Sequence, residues 1–351
     1  MLKSKSGLKG RQIPTITDVA ARAGVSTATV DRVLNRRGGV RDVITKKVIT
    51  AAEFLDYPGI SDNFKSLTQK PMRLLFILPS SPNRFLKLLA KNILDSKSRL
   101  QDLSIHPTVE TVESFKPEIL SNRLKQSAKK YDGVIFMALE HPLVRDAVDW
   151  LVSKSVPVVT IISDIVGSKR VAYIGLDNRS IGRTAGYIMG RFIGPQPSKV
   201  AMIAGSLSYR AHEEREMGFM HLYQELFQQS EVLGVREGYD DPERNYRQTK
   251  MLLSQHSDIS GIYCIGGSPE GVGKALQEAS KHKKVVFIGH GLTTPSRNML
   301  LDGTMDAVIT QNPETTLMQC INVFLNIRAE REAHEGILPM QCEIIFRDNL
   351  P

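Results

Sequence analysis

The stretch TITDVAARAGVSTATVDRVLN, residues 15–35, sets two short amphipathic segments on either side of a glycine, and few folds accommodate that arrangement. Thr15 followed three residues later by Asp18 is a capping-box-like start that satisfies orphan amides at a helix N-terminus. Ile16, Val19, Ala20 and Ala23 then fall at helical spacing, and Gly24 supplies the positive φ that ends a helix without a Cβ penalty. Ser26 is a natural cap for a second helix. On its wheel Val30, Val33 and Leu34 share one side, while Thr27, Ala28, Asp31, Arg32 and Asn35 share the other. One face packs and the other is free to touch a partner. Spacing alone fits an ordinary helical hairpin as well as a helix-turn-helix whose second helix enters the DNA major groove.

Charge distribution separates the two. Residues 1–73 carry 14 basic and 6 acidic side chains, eight of the chain's nine formal positive charges, and the remainder, with 32 basic and 31 acidic, is nearly neutral. A basic headpiece on an otherwise ordinary body is what phosphate neutralisation and counterion release call for.

Beyond residue 72 short apolar runs recur: RLLFIL (73–78), GVIFMA (133–138), VPVVTII (156–162), VAMIAG (200–205), GIYCIG (261–266), VVFIG (285–289) and DAVITQ (306–311). They read as buried parallel strands. Between them lie amphipathic segments at 85–100, 143–154, 181–193, 213–228 and 271–281. The pattern predicts a doubly wound α/β body, and its length suits two lobes better than one. Ligands in such folds sit at the carboxyl ends of strands, which selects Asn83, Phe85, Ser163, Asp164, Gly267, Ser268, His290 and Gln311.

Thr15-Ile16-Thr17-Asp18-Val19-Ala20, Ala23-Gly24-Val25-Ser26, Thr29-Val30 and Val33-Leu34-Asn35 closely resemble the headpiece of the lac repressor family, as do Val40, a third helix over about 42–55 and Leu55-Asp56-Tyr57. The resemblance implies that Thr27, Ala28 and Arg32 read bases, with Thr17, Ser26, Thr29 and Asn35 completing the DNA-binding set. Arg pairs bidentately with guanine, and Ala meets a thymine methyl. Asp31 departs from the family's usual Ser. Facing DNA it repels phosphates unless it accepts from a cytosine amino group or is neutralised by Arg36 or Arg41. The linker YPGISDNFKSLTQKP also departs, with Pro58-Gly59 breaking its start and Leu67, the expected minor-groove wedge, one residue later than usual.

The body resembles the sugar-binding effector domain of type I periplasmic binding proteins through SPNRF, VPVVTIISD, YIGLDNRSIGRTAGYIMG and EREMGF. The last motif adds Arg215 to the effector-binding set of Asn83, Phe85, Ser163, Asp164, Gly267, His290 and Gln311. Phe85 is either a stacking platform or a core anchor, Asp164 a ligand or a turn residue, and Gln311 a ligand or a hinge between lobes. Asp177 and Asn178 are expected to be structural, where the chain crosses lobes. In IGHGL, His290 stands where many sugar-binding members place the Asp of Gly-x-Asp.

Enzymatic readings find no constellation. GGSPEGVGKAL misses the phosphate-loop spacing, because Ser268 stands six before Lys274 and Ala275 follows it. HEERE at His212 lacks the second His of a zinc helix, and Cys264, Cys320 and Cys342 show no metal spacing. No metal or cofactor is expected. A solute-binding receptor is the rival, but MLKSKSGLKGRQIPT has no apolar signal core and no stretch suits a membrane span. The sequence therefore predicts a cytoplasmic regulator, a homodimer on double-stranded operator DNA, controlled by a small polar effector such as a carbohydrate. Its divisions are a basic arm at 1–14, the helix-turn-helix at 15–57, a linker at 58–71 and the effector and dimerisation body at 72–351.

Overall fold

The computed structural model describes residues 13–35, 37–58 and 70–351. They fall into two compact units, one drawn from residues up to 72 together with 97–106, the other from 73–96 and 107–351.

The headpiece contains α1 (Ile16–Ala23), α2 (Thr27–Leu34) and α3 (Asp42–Phe54). Thr15 and Asp18 form the capping box, with the Thr15 amide donating to Asp18 Oδ2 at 2.7 Å. These bonds hold the Asp18 carboxyl below its ordinary range. Gly24 ends α1 at φ 67°, a left-handed conformation that costs glycine little. Ser26 Oγ accepts from the Thr29 amide at 3.2 Å and starts α2. Val19, Ala20, Val30, Val33, Val48, Ile49, Ala51 and Ala52 make one small core. The Arg22 guanidinium lies 3.2 Å from the Phe54 ring centroid, joining α1 to α3.

The body contains, in order, β1 (Met72–Ser80), α4 (Arg84–Asp95), α5 (Lys97–Asp102), β2 (Ile105–Glu113), α6 (Pro117–Ser127), β3 (Gly133–Phe136), α7 (Pro142–Ser153), β4 (Val158–Ile161) and β5 (Ala172–Ile174). It continues with α8 (Asn178–Ile193), β6 (Lys199–Ala204), α9 (Arg210–Leu226), β7 (Glu231–Glu237), α10 (Pro242–Gln255), β8 (Ile259–Cys264) and α11 (Glu270–Glu278). β9 (Val286–His290), α12 (Thr294–Asp302), β10 (Ala307–Thr310), α13 (Pro313–Arg328) and β11 (Glu343–Ile345) complete it.

Two sheets form, ordered β2-β1-β3-β4-β5 and β11-β10-β9-β8-β6-β7. This is the expected two-lobed doubly wound α/β fold. The pairs β1–β3, β3–β4 and β4–β5 are parallel, as are β6–β7, β6–β8, β8–β9 and β9–β10; β11 adds antiparallel to β10. In each lobe strand order reverses beside the first strand, between β1 and β3 and between β6 and β8. Crevices outside the carboxyl ends of strands open at such reversals.

The chain leaves the first lobe after β5, returns with α13 and leaves again before β11. On its return α13 packs against α4 and β5, and Phe324 lies where a side chain on Gly133 would stand. α8 and α9 are in backbone contact. A Cβ on Gly182 would sit 2.0 Å from the Arg215 carbonyl oxygen, and one on Gly218 2.1 Å from that of Arg179. That approach fixes the height of Arg215 against the second sheet.

The DNA-facing helix and the interlobe cleft

On α2 the residues Thr27, Ala28, Arg32 and Asn35 are exposed, and Thr17 is exposed on α1. Ser26 is spent as the cap, its hydroxyl also 2.9 Å from that of the half-buried Thr29. Asp31 is paired by a residue the sequence reading did not choose. Arg37 Nη1 stands 2.9 Å from Asp31 Oδ2, and Asn35 Nδ2 donates to Oδ1 at 2.7 Å. Arg41 makes no such bond among the described residues, and Arg36 lies outside them. Leu67 also lies outside the described residues.

The interlobe cleft brings together Asn83, Phe85, Arg215, Gly267, His290 and Gln311 from the strand-end set. Apolar walls come from Leu86, Met137, Ile162, Leu176 and Ile309. The structure does not bring Ser163 or Asp164 into this lining. Ser163 is fully buried and its hydroxyl accepts from the Ala211 amide at 3.3 Å, which ties the end of β4 to the start of α9. Asp164 pairs with Arg170 and accepts from Thr160 Oγ1 at 2.6 Å. Ser268 donates to the Asp240 carbonyl at 2.6 Å. Strand-end position placed these side chains near the crevice, but local partners turned them to structural work.

Arg215 is 7% exposed. Its Nε donates to Asn178 Oδ1 at 2.8 Å and its Nη1 to the Ile265 carbonyl at 2.9 Å. Asn178 in turn donates to Tyr173 Oη at 3.1 Å, so the crossing segment orients the guanidinium. Burial lowers the Arg215 pKa, which remains a cation at neutral pH. His290 Nε2 lies 2.7 Å from Tyr263 Oη. Counted from Gly289, the third position of Gly-x-Asp falls on Gly291, one beyond His290; both residues line the cleft and neither is a carboxylate.

Two further ionisable lining residues fall outside the strand-end selection. His212, on the first turn of α9, holds Nδ1 2.9 Å from the Ser206 carbonyl. Asp240 follows β7 with φ 54° and accepts from the Gly267 amide at 2.6 Å and from Asn83 Nδ2 at 3.1 Å. Burial lowers the pKa of both His212 and His290; Arg215 adds to this at His290, while at His212 the Asp240 carboxylate opposes it without reversing it, so both rings are neutral at pH 7. Asn83 also caps α4, its Oδ1 accepting from the Phe85 amide at 3.0 Å. Gln311 is 7% exposed, and its buried Nε2 has no partner among the described residues.

Residues 122–330 match the periplasmic binding protein domain, and residues 15–58 match the lacI family of bacterial regulatory proteins. The chain belongs to the periplasmic binding protein domain family through its body and carries a lacI-family regulatory domain at its N-terminus. This regulator is 27% identical over 255 residues to the HTH-type transcriptional repressor PurR of Actinobacillus pleuropneumoniae, covering 72% of each chain. With PurR of Histophilus somni it shares 24% over 346 residues, covering 96% of this chain and 98% of that one. Its fold is similar to that of GanP, a glucose-galactose binding protein from Geobacillus stearothermophilus, at TM-score 0.71 and 21% identity, over 81% of this chain and all of that one. A solute binding protein from Actinobacillus succinogenes, solved with D-allose, gives TM-score 0.71 at 17% identity, over 80% of this chain and 98% of that one. No helix among the described residues is long and apolar enough to cross a membrane, and no group of three or more potential metal ligands occurs among them.

Proposed function

We propose that this regulator is a cytoplasmic transcriptional repressor that binds a two-fold operator as a homodimer and changes its grip when a small polar ligand, of the carbohydrate class, occupies the interlobe cleft. Thr27, Ala28 and Arg32 read base edges; Thr17, Ser26, Thr29 and Asn35 support the headpiece on the phosphates. One headpiece reads one half-site, which is the argument for two copies. Residues 58–71 serve as the linker, with Leu67 as the minor-groove wedge the family resemblance implies. The rival role, solute receptor, leaves the basic headpiece without work, and no metal-ligand cluster among the described residues points to a catalyst.

Gln311 carries the ligand half of this reading. A buried amide donor without a partner costs about 1–3 kcal/mol, and a ligand hydroxyl or carboxylate in the cleft removes that cost. Arg215 and His212 stand on the same surface, while Phe85 and the apolar walls suit the body of a sugar ring. Effector control then follows from differential affinity for open and closed lobes. Thermal-shift screening of sugars, polyols and sugar acids, with hits carried into operator-binding titrations, tests the reading. A hit that raises the melting temperature and changes operator affinity supports it, and a ligand that stabilises the body without touching operator affinity contradicts the coupling.

A further inference from the structure

The cleft presents donors in excess. Arginine has five N–H groups; Arg215 uses its Nε–H on a neutral amide oxygen and one Nη1–H on a backbone carbonyl, and the residue lines the cleft. It has no ion pair among the described residues, although it is 7% exposed. The Asp240 and Glu214 carboxylates favour its charge only from beyond ion-pair distance; a buried cation without a contacting counter-charge is costly, and an incoming anion offsets that cost. Gln311 Nε2 is a buried donor on the same lining without a partner among the described residues.

The neighbouring carboxylates each already hold protein donors. Asp240, the carboxylate lining the cleft, has Oδ1 on the Gly267 amide and Oδ2 on Asn83. Asp164 is held by Arg170 and Thr160. Glu237 Oε1 accepts from Ser206 Oγ and the Leu207 amide, both at 2.8 Å. At Gly291, where a Gly-x-Asp segment would place an acceptor for sugar hydroxyls, there is none.

Resting on the reading that this cleft binds the effector, we propose that the effector class is a small hydroxy acid, a sugar acid in kind, whose carboxylate meets the Nη1–Nη2 edge of Arg215 and the amide of Gln311. The planar guanidinium edge matches a carboxylate in two parallel hydrogen bonds. The apolar walls and Phe85 take the carbon chain, and the neutral His212 faces its hydroxyls.

Calorimetric titration of the full chain with matched pairs tests this: D-glucose against D-gluconate and D-glucuronate, D-galactose against D-galacturonate, glycerol against glycerate, with glucose 6-phosphate as a further anion. At least one acid should bind ten-fold or more tightly than its neutral partner. In Arg215→Gln that preference should collapse to less than three-fold, and in Gln311→Leu it should narrow, the acid losing affinity while its neutral partner changes little. Should Arg215→Gln fail to fold, the parent chain's matched pairs decide alone. Neutral sugars binding as well as the acids overturns the anionic class and leaves the carbohydrate reading standing. Tight binding of the phosphate ester without any acid overturns the carboxylate. Binding of no member overturns both readings.

Discussion

Asn83 Nδ2 donates to Asp240 Oδ2 at 3.1 Å, and this one bond joins the N-terminus of a first-lobe helix to the loop after β7 in the second lobe. Because Asp240 also accepts from Gly267, the same carboxylate clamps the ends of β7 and β8. Arg84 adds a second interlobe tie through Nε to Glu270 at 3.1 Å. Lobe closure is therefore written into protein contacts at the mouth of the cleft. Asn83→Ser keeps a capping oxygen for α4 and removes the amide that reaches Asp240. We expect it to destabilise the closed arrangement by about 1–3 kcal/mol, the range for a hydrogen bond to a charged acceptor. Small-angle scattering should show a larger radius of gyration, and an unchanged radius would mean that the bond does not hold the lobes.

Arg32→Ala should cost about 1–3 kcal/mol of operator discrimination, concentrated at one position in each half-site. Competition binding with operators substituted one base at a time reads this directly. Equal weakening on every sequence would reduce Arg32 to a phosphate contact. By the same assay Asp31→Ser releases Arg37 and Asn35, and discrimination should change at the positions those two reach.

The contact between α8 and α9 leaves no room for a methyl. Gly→Ala inside a helix ordinarily gains about 1 kcal/mol of propensity. At Gly218, where the added Cβ meets the Arg179 carbonyl at 2.1 Å, overpacking should reverse the sign and cost about 1–3 kcal/mol. Urea unfolding of Gly218→Ala checks it, and a stabilised variant would show that α8 and α9 separate easily.

His212 and His290 are neutral in the folded chain at pH values where free imidazole, at 6.5, takes up a proton. The unfolded chain thus binds more protons below that value. Stability is fully present above about pH 6.5 and falls as pH drops, by up to about 1.4 kcal/mol per pH unit for each ring. Denaturant midpoints measured between pH 7.5 and 5.5 should show this slope, and His290→Gln should flatten it. A slope identical in parent and variant would remove His290 from the account.

Much of this was legible in the chain. The strands β3, β4 and β10 are buried on both faces and appear as unbroken apolar runs, GVIF, VVTI and AVIT. β2 and β7 lie at sheet edges with half-exposed residues, and IHPTVETVE carries Pro and Glu that hide its pairing. Missing β7 also hid Asp240, which follows it; its neighbour Asp241 caps α10 by accepting from the Arg244 amide at 2.8 Å. His212 stands out in the sequence only as the start of HEERE, which lacks the second His of a zinc helix, because its place at the cleft is set by the α8–α9 approach. The strand-end rule found Asn83, Gly267 and Gln311. It also selected Ser163 and Asp164, where it gave the position but not the direction of the side chain.

The account stands or falls on whether the exposed face of α2 reads sequence. Selecting bound fragments from a random DNA pool with the full chain measures this directly. The account predicts enrichment of a two-fold symmetric site, bound about 10³-fold or more tightly than bulk DNA at physiological salt, with Arg32→Ala losing preference at one symmetric pair of bases. A pool that emerges without a shared motif, bound only through a salt-sensitive, sequence-blind attraction, would contradict it.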